Sequence, residues 1–145
     1  MEEFKPVLTC DEINVFLAEV FPELNQDHAD YVTTEIAPGQ CVVAFHATER
    51  HLRPGGTVSG PNLFCLADIT GYVCCLSHVG REALAVTTNL NINFVRKALP
   101  GTLFGHGRIL KLGKRLMVFD CDIVDVAGTR IAHATGTYAI PPKQA

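Results

Sequence analysis

The sequence predicts an α+β fold, and three stretches of it carry that prediction. The run from Asn62 to Leu76 is apolar on nearly every face, so in a chain that folds in water other structure must wrap it. The segment from Leu84 to Phe94 alternates apolar and polar residues with period two, the pattern of a half-buried strand. Near the start of the chain Ile13, Phe16, Leu17, Val20 and Phe21 recur at helical spacing. The economical way to bury an all-round apolar helix is to curl a sheet about it, with the first helix packed outside.

Each element has its own punctuation. Thr9 and Glu12 are spaced as a capping box, Leu8 and Ile13 as the staple around it, and Pro22 stops the helix. This amphipathic helix is expected to play a structural part, covering a sheet edge or a pocket mouth. After the polar link Glu23 to Asp27, the segments Asp30 to Ala37 and Gln40 to His46 form a hairpin about Pro38-Gly39. His51 is expected to be an exposed loop histidine. The loop from Arg53 to Pro61 starts a helix near Gly60 or Pro61: glycines allow unusual backbone angles, Ser59 can cap, and Pro61 sits where a missing N–H costs nothing. In the long strand, Leu84, Val86, Thr88, Leu90, Ile92 and Phe94 are expected on one face and Thr87, Asn89, Asn91 and Asn93 on the other. Turns at Pro100-Gly101, Gly113 and Gly128 separate three further strands, which complete a meander: Thr102 to Lys111, one in which Met117, Phe119, Cys121 and Ile123 alternate, and Arg130 to Ile140.

The chain has 145 residues, enough for one domain with its own core, expected to run over 1–145 with a helix and link at 1–28 and the core at 29–142. A formal charge of -3 leaves no broad basic field, so no nucleic-acid partner is expected. The first residues lack a basic and then apolar leader pattern, and the apolar run is interrupted at Asp68, Thr70 and Gly71, short of a bilayer span. No membrane partner is expected, and the expected location is cytoplasmic. Six cysteines without a C-x-x-C pair read as small buried hydrophobes, and six histidines lack an H-x-x-x-H spacing, so no metal is expected. There is no G-x-G-x-x-G, P-loop or G-x-S-x-G, and no cofactor is expected.

Asp68 is the only formally charged side chain between Arg53 and Arg81. A carboxylate in an apolar segment costs several kcal/mol unless it is paired or used. Two readings stand: a carboxylate turned to a solvated gap or capping a backbone group, or a catalytic group about two turns from a helix start whose free N–H groups favour a developing oxyanion, with a substrate held at that end within its reach.

From about residue 40 to 140 the chain resembles the hotdog-fold thioesterases, in the branch of the phenylacetic-acid-degradation thioesterase. In that branch H-G-G opens the central helix, an acid follows nine residues after the His, and a strand reads T-x-x-L-x-I-x-F-x-R-x-A. Here Ser59-Gly60-Pro61 stands at the first position, Asp68 follows at nine, and Thr87-Thr88-Asn89-Leu90-Asn91-Ile92-Asn93-Phe94-Val95-Arg96-Lys97-Ala98 follows the strand pattern. The resemblance implies a curved antiparallel sheet around one central helix and hydrolysis of an acyl-CoA thioester. It implies that the Gly60 amide polarises the carbonyl and that Asp68 is general base or nucleophile. It further implies that Thr87 holds the attacking water and that Ser59 takes the place of the substrate-orienting His. Arg53, where relatives often carry Asn, joins Arg96 and Lys97 as groups to meet CoA phosphates, with Asn62 a further substrate-binding candidate. It also implies a homodimer or homotetramer with sites shared between subunits. The departure at Ser59 keeps a non-catalytic binder of acyl-CoA or an aromatic ligand as the alternative.

Overall fold

A computed structural model describes residues 4–25 and 28–142. Positions 26 and 27 of the polar link, and the ends 1–3 and 143–145 of the expected domain, lie outside the described residues. Helix α1 (Cys10–Val20) starts on the predicted capping box: Glu12 N–H donates to Thr9 Oγ1 at 3.2 Å and Thr9 N–H to Glu12 Oε1 at 2.9 Å. Ile13, Phe16 and Leu17 form its buried stripe, and a 3-10 turn at Pro22–Asn25 follows. The hairpin pairs β1 (Tyr31–Ala37) with β2 (Gln40–Ala47), turning on Gly39 at φ +71°. Two short strands, β3 (Leu52–Arg53) and β4 (Thr57–Val58), carry the loop into helix α2 (Gly60–Val79). The chain then runs through β5 (Val86–Phe94), β6 (Gly101–Leu112), β7 (Leu116–Asp125) and β8 (Arg130–Ala139).

The six long strands form one antiparallel sheet in the order β1-β2-β6-β7-β8-β5. The predicted meander holds for β6, β7 and β8. β5 is an exception: it pairs with β8 at the far edge, and the chain crosses back to the sheet centre to begin β6. The inner face carries the predicted alternation of Met117, Phe119, Cys121 and Ile123, all wholly buried. Against it lies α2, buried at every residue from Ile69 to His78. Glycines on β6 allow this close approach: a Cβ on Gly107 would stand 2.7 Å from Cys74 Sγ, and one on Gly105 would strike Thr70. The outer face is charged, with Arg108 on Asp120 and Arg130 on Asp122, each at 2.9 Å. By length and apolarity α2, with 20 residues, reaches the size of a membrane span that the interrupted run was expected to miss; its apolar surface is buried within the sheet.

Two expectations fail for physical reasons. A bulge between Thr87 and Asn89 adds a residue to β5, and an extra residue reverses the faces of everything before it. Leu90 and Ile92 do pack inward, but Leu84 and Val86 point out, 80% and 56% exposed, while Ala85 is buried and Thr87 turns in. His51 is buried rather than an exposed loop residue. Its ring packs edge-on to Phe45, Nδ1 accepts Thr48 N–H at 2.9 Å, and Nε2 lies 3.4 Å from Asp30.

The two sheet edges differ. Along β1, Asn14 takes both main-chain groups of Thr33 at 3.0 Å and Asn25 both groups of Tyr31 at 2.9 Å. Each amide thereby stands in for a paired residue of a neighbouring strand. Among the described residues, the outer edge of β5 pairs with no strand.

Candidate active site

The site begins at the start of α2. Ser59, extended at φ −71° and ψ 151°, is the N-cap: its Oγ accepts Asn62 N–H at 3.3 Å and the Asn62 side-chain amide at 2.8 Å. The same amide reaches His51 O at 3.1 Å, and Ser59 N–H donates to His51 O at 2.9 Å. Buried His51 therefore anchors the turn that aims the first N–H groups of the helix. Pro61 carries no N–H and that of Asn62 is spent on the cap, which leaves the Gly60 N–H as the donor at the positive end of the helix. Gly60, Leu63 and Phe94 floor a cavity of about 350 Å³ here, with Arg53, Arg96 and Lys97 around it. A Cβ at Gly60 would touch the Phe94 ring at 3.4 Å, so glycine keeps the helix start open to what enters. Of the expected residues the structure gathers Gly60, Arg53, Arg96 and Lys97 in this cavity, whereas Ser59 and Asn62 are spent on the cap.

Two turns on, Asp68 is half-buried and faces β5 and β8. Thr87 Oγ1 donates to its Oδ1 at 2.5 Å, and Tyr138 OH lies 2.8 Å from the same oxygen and 2.8 Å from Asp68 O. Thr88, the neighbour that could have been confused with Thr87, points the other way and donates to Thr137 O. Burial, reinforced by the Asp68 charge, pushes the Tyr138 phenol far above its ordinary range, so it remains a donor. Tyr72 stacks on Tyr138 at 6.0 Å and donates to Ala83 O at 2.7 Å. Val20, Phe21, Tyr72, Ala85 and Val86 complete an open cavity of about 240 Å³ next to the carboxylate, part polar and part apolar. Larger depressions of about 560, 460 and 400 Å³ hold none of these groups.

The Asp68 pair and the Gly60 cavity are not brought together within one chain. Eight residues at about 1.5 Å each separate them by about 12 Å along α2, well beyond the contact distance of groups acting on one carbonyl. Both nevertheless lie beneath β5, Asp68 at its start and Gly60 near its end at Phe94. Tyr138 was missed by sequence reasoning. Its signal was the period-two face of β8, on which Tyr138 is the inward hydroxyl beyond the small residues Ala132, Ala134 and Gly136, and a buried phenol needs a partner.

Several other reactive groups are occupied in the core. Cys41 and Cys74 touch at 3.0 Å in the core; burial raises the Cys41 thiol and pushes that of Cys75 up to about 12, which keeps Cys41 and Cys75 protonated. His78 Nε2 accepts Gly39 N–H at 2.9 Å while Nδ1 meets Cys74 O at 3.0 Å.

A long central helix packed against one antiparallel sheet is the architecture of the hotdog class. The thioesterase superfamily model matches residues 55–132, and the chain belongs to that family. It is similar to the "putative thioesterase" of Silicibacter sp. TM1040, with 43% identity over 96% of both chains and a TM-score of 0.86. It is also similar to the E. coli PaaI protein of the phenylacetic acid degradation operon, with 25% identity over 79% of this chain and 81% of that one and a TM-score of 0.71. A Streptococcus mutans protein solved bound to acetyl CoA shares the fold at 22% identity, over 80% of this chain and 92% of that one, with a TM-score of 0.70.

Proposed function

We propose that this protein hydrolyses an acyl-CoA thioester to the free acid and CoA. The observation that carries the reading is Asp68: a carboxylate in an apolar helix, oriented through Oδ1 by Thr87 and Tyr138, beside an open cavity. Because both donors hold Oδ1, Oδ2 is the oxygen to work with. As general base it takes a proton from water, and the hydroxide equivalent attacks the thioester carbon; as nucleophile it attacks that carbon itself, and water then cleaves the anhydride. On either route the C–S bond breaks, CoA leaves as thiolate, and Thr87 is placed to steady the attacking water. Negative charge developing on the carbonyl oxygen is met by Gly60 N–H at the positive end of α2. Arg53, Arg96 and Lys97 around that cavity suit the CoA phosphates.

The 12 Å gap within a chain and the unpaired edge of β5 support an assembly in which two copies pair through β5, Gly60 of one facing the Asp68 of the other. A homodimer, or a homotetramer of two such dimers, acting in the cytoplasm is part of this reading. That acetyl CoA occupies a protein of the same fold supports the choice of thioester.

One observation favours a second reading, a binder without turnover: the Ser59 hydroxyl is engaged by Asn62 and adds nothing to substrate orientation. Free-thiol release from a panel of CoA thioesters separates the two. Turnover supports hydrolysis, whereas saturable binding of the panel with no thiol released overturns it.

A further inference from the structure

Helix α1 does more than cover the β1 edge. Its last residue, Val20, and its cap residue, Phe21, line the cavity that holds Asp68, together with Tyr72 and Val86. Both keep exposed apolar surface, 40% and 36%, so burial in the core does not account for them. The wall is also fixed in place. Asn14 fastens the middle of α1 to Thr33, and Asn25 fastens the turn after it to Tyr31, each through two hydrogen bonds, so Phe21 lies between two clamps on one strand. Phe21 N–H is itself bonded to Leu17 O at 2.8 Å and Phe21 O accepts Leu24 N–H at 3.1 Å. A segment held this way behaves as a rigid stop and not as a lid.

We propose that the C-terminal end of α1 sets the length of acyl group this protein accepts, with Phe21 and Val20 closing the acyl cavity at Asp68. The inference rests on the thioesterase reading and goes beyond it in naming the residues that select the substrate. A cavity of about 240 Å³ with an aromatic wall takes a short acyl chain and stops a long one against Phe21. Selection then works by steric exclusion at the far end of the chain, and the wall has no part in chemistry at the thioester.

The test is kcat/KM for butyryl-, hexanoyl- and decanoyl-CoA on the native protein, Phe21→Ala and Val20→Phe, with melting temperatures as a check on folding. Phe21→Ala opens the wall and should raise the decanoyl-to-butyryl ratio by about tenfold or more, on the scale by which single apolar groups discriminate substrates. Val20→Phe narrows the cavity and should move the ratio the other way. Because the two variants shift preference in opposite directions, a general loss of stability cannot imitate the result. Ratios within twofold of the native protein in both variants, with butyryl-CoA still hydrolysed, overturn the α1 proposal and leave the thioesterase reading standing. No thiol release from any thioester by the native protein overturns both.

Discussion

At the β1 edge of the sheet, Asn14 and Asn25 occupy the free main-chain groups of Thr33 and Tyr31, and α1 lies across the strand. At the β5 edge no strand pairs among the described residues, and beneath that strand lie the two groups proposed for thioester chemistry, Asp68 with Thr87 and Gly60 with Phe94. The contrast separates two uses of one sheet. An unpaired edge invites pairing with another chain, and a protein that closes one edge with side-chain amides while leaving the other bare directs association to the bare one. On the proposed function, the closed edge carries stability and, through Phe21, the choice of substrate, whereas the chemistry belongs to the open one, so substitutions of Asn14 and of Asp68 should have separable effects.

The largest effect should come from the open side. Asp68→Asn keeps the shape of the side chain and its bonding to Thr87 and Tyr138 but removes the charge and the basicity. Turnover should fall by about 10² or more, the size typical of losing general-base catalysis, while CoA affinity survives. Turnover within a few fold of native, with a raised melting temperature, would return Asp68 to the role of a tolerated buried charge.

Next in size is an experiment on the edge itself. Gly60→Pro removes the amide proton at the first helical position, where a proline ring is tolerated. Alone, this variant and Asp68→Asn should both be poorly active. If two copies share each site, a mixed dimer has one site with both lesions and one with neither, so remixing equal amounts should recover roughly a quarter of native activity. Mixtures no more active than the average of the two variants would show that each chain works alone. Light scattering on the native protein should give a dimer or tetramer.

On the closed side the expected effect is on stability. Asn14→Ala leaves the Thr33 N–H and C=O without partners in a part-buried position, which should cost about 1–3 kcal/mol in denaturant unfolding. Hydrolysis of butyryl-CoA should persist. A loss of turnover as large as that of Asp68→Asn would join the two edges into one functional unit and break the distinction.

What could be seen in the sequence follows the same division. The Thr9–Glu12 box, the Ser59 cap and the inward stripe of β7 are local patterns, decided within a few residues, and the structure has them where the sequence puts them. The resemblance placed Asp68 and Gly60 on one helix, which is also a local relation. The remaining features are contacts between distant segments: Tyr138 on Asp68, Asn14 on Thr33, and β5 carried past three strands to pair with β8. No spacing encodes them. The bulge after Thr87 was hidden because an unbroken period-two pattern conceals an inserted residue, and the burial of His51 because its partners Asp30 and Phe45 lie a strand away.

The smallest effect concerns pH, and it too belongs to the closed edge. His78 Nε2 accepts the N–H of Gly39, the turn residue of the β1–β2 hairpin, while Nδ1 meets the carbonyl of Cys74. Burial opposes the charge, so the folded pKa lies below the ordinary histidine value, and a proton on Nε2 would also face the Gly39 N–H. The folded state therefore binds this proton less readily than the unfolded chain. Its contribution is complete above the unfolded pKa, near about 6.5, and is lost as the pH falls through that value toward the folded one. Denaturation midpoints of the native protein, at fixed protein concentration, should fall on acidification through that window, and His78→Gln, which keeps an acceptor but cannot titrate, should flatten the slope there while lowering stability overall. Equal slopes in the two proteins would show that the hairpin clamp does not respond to protons and that the pH dependence arises elsewhere on the chain.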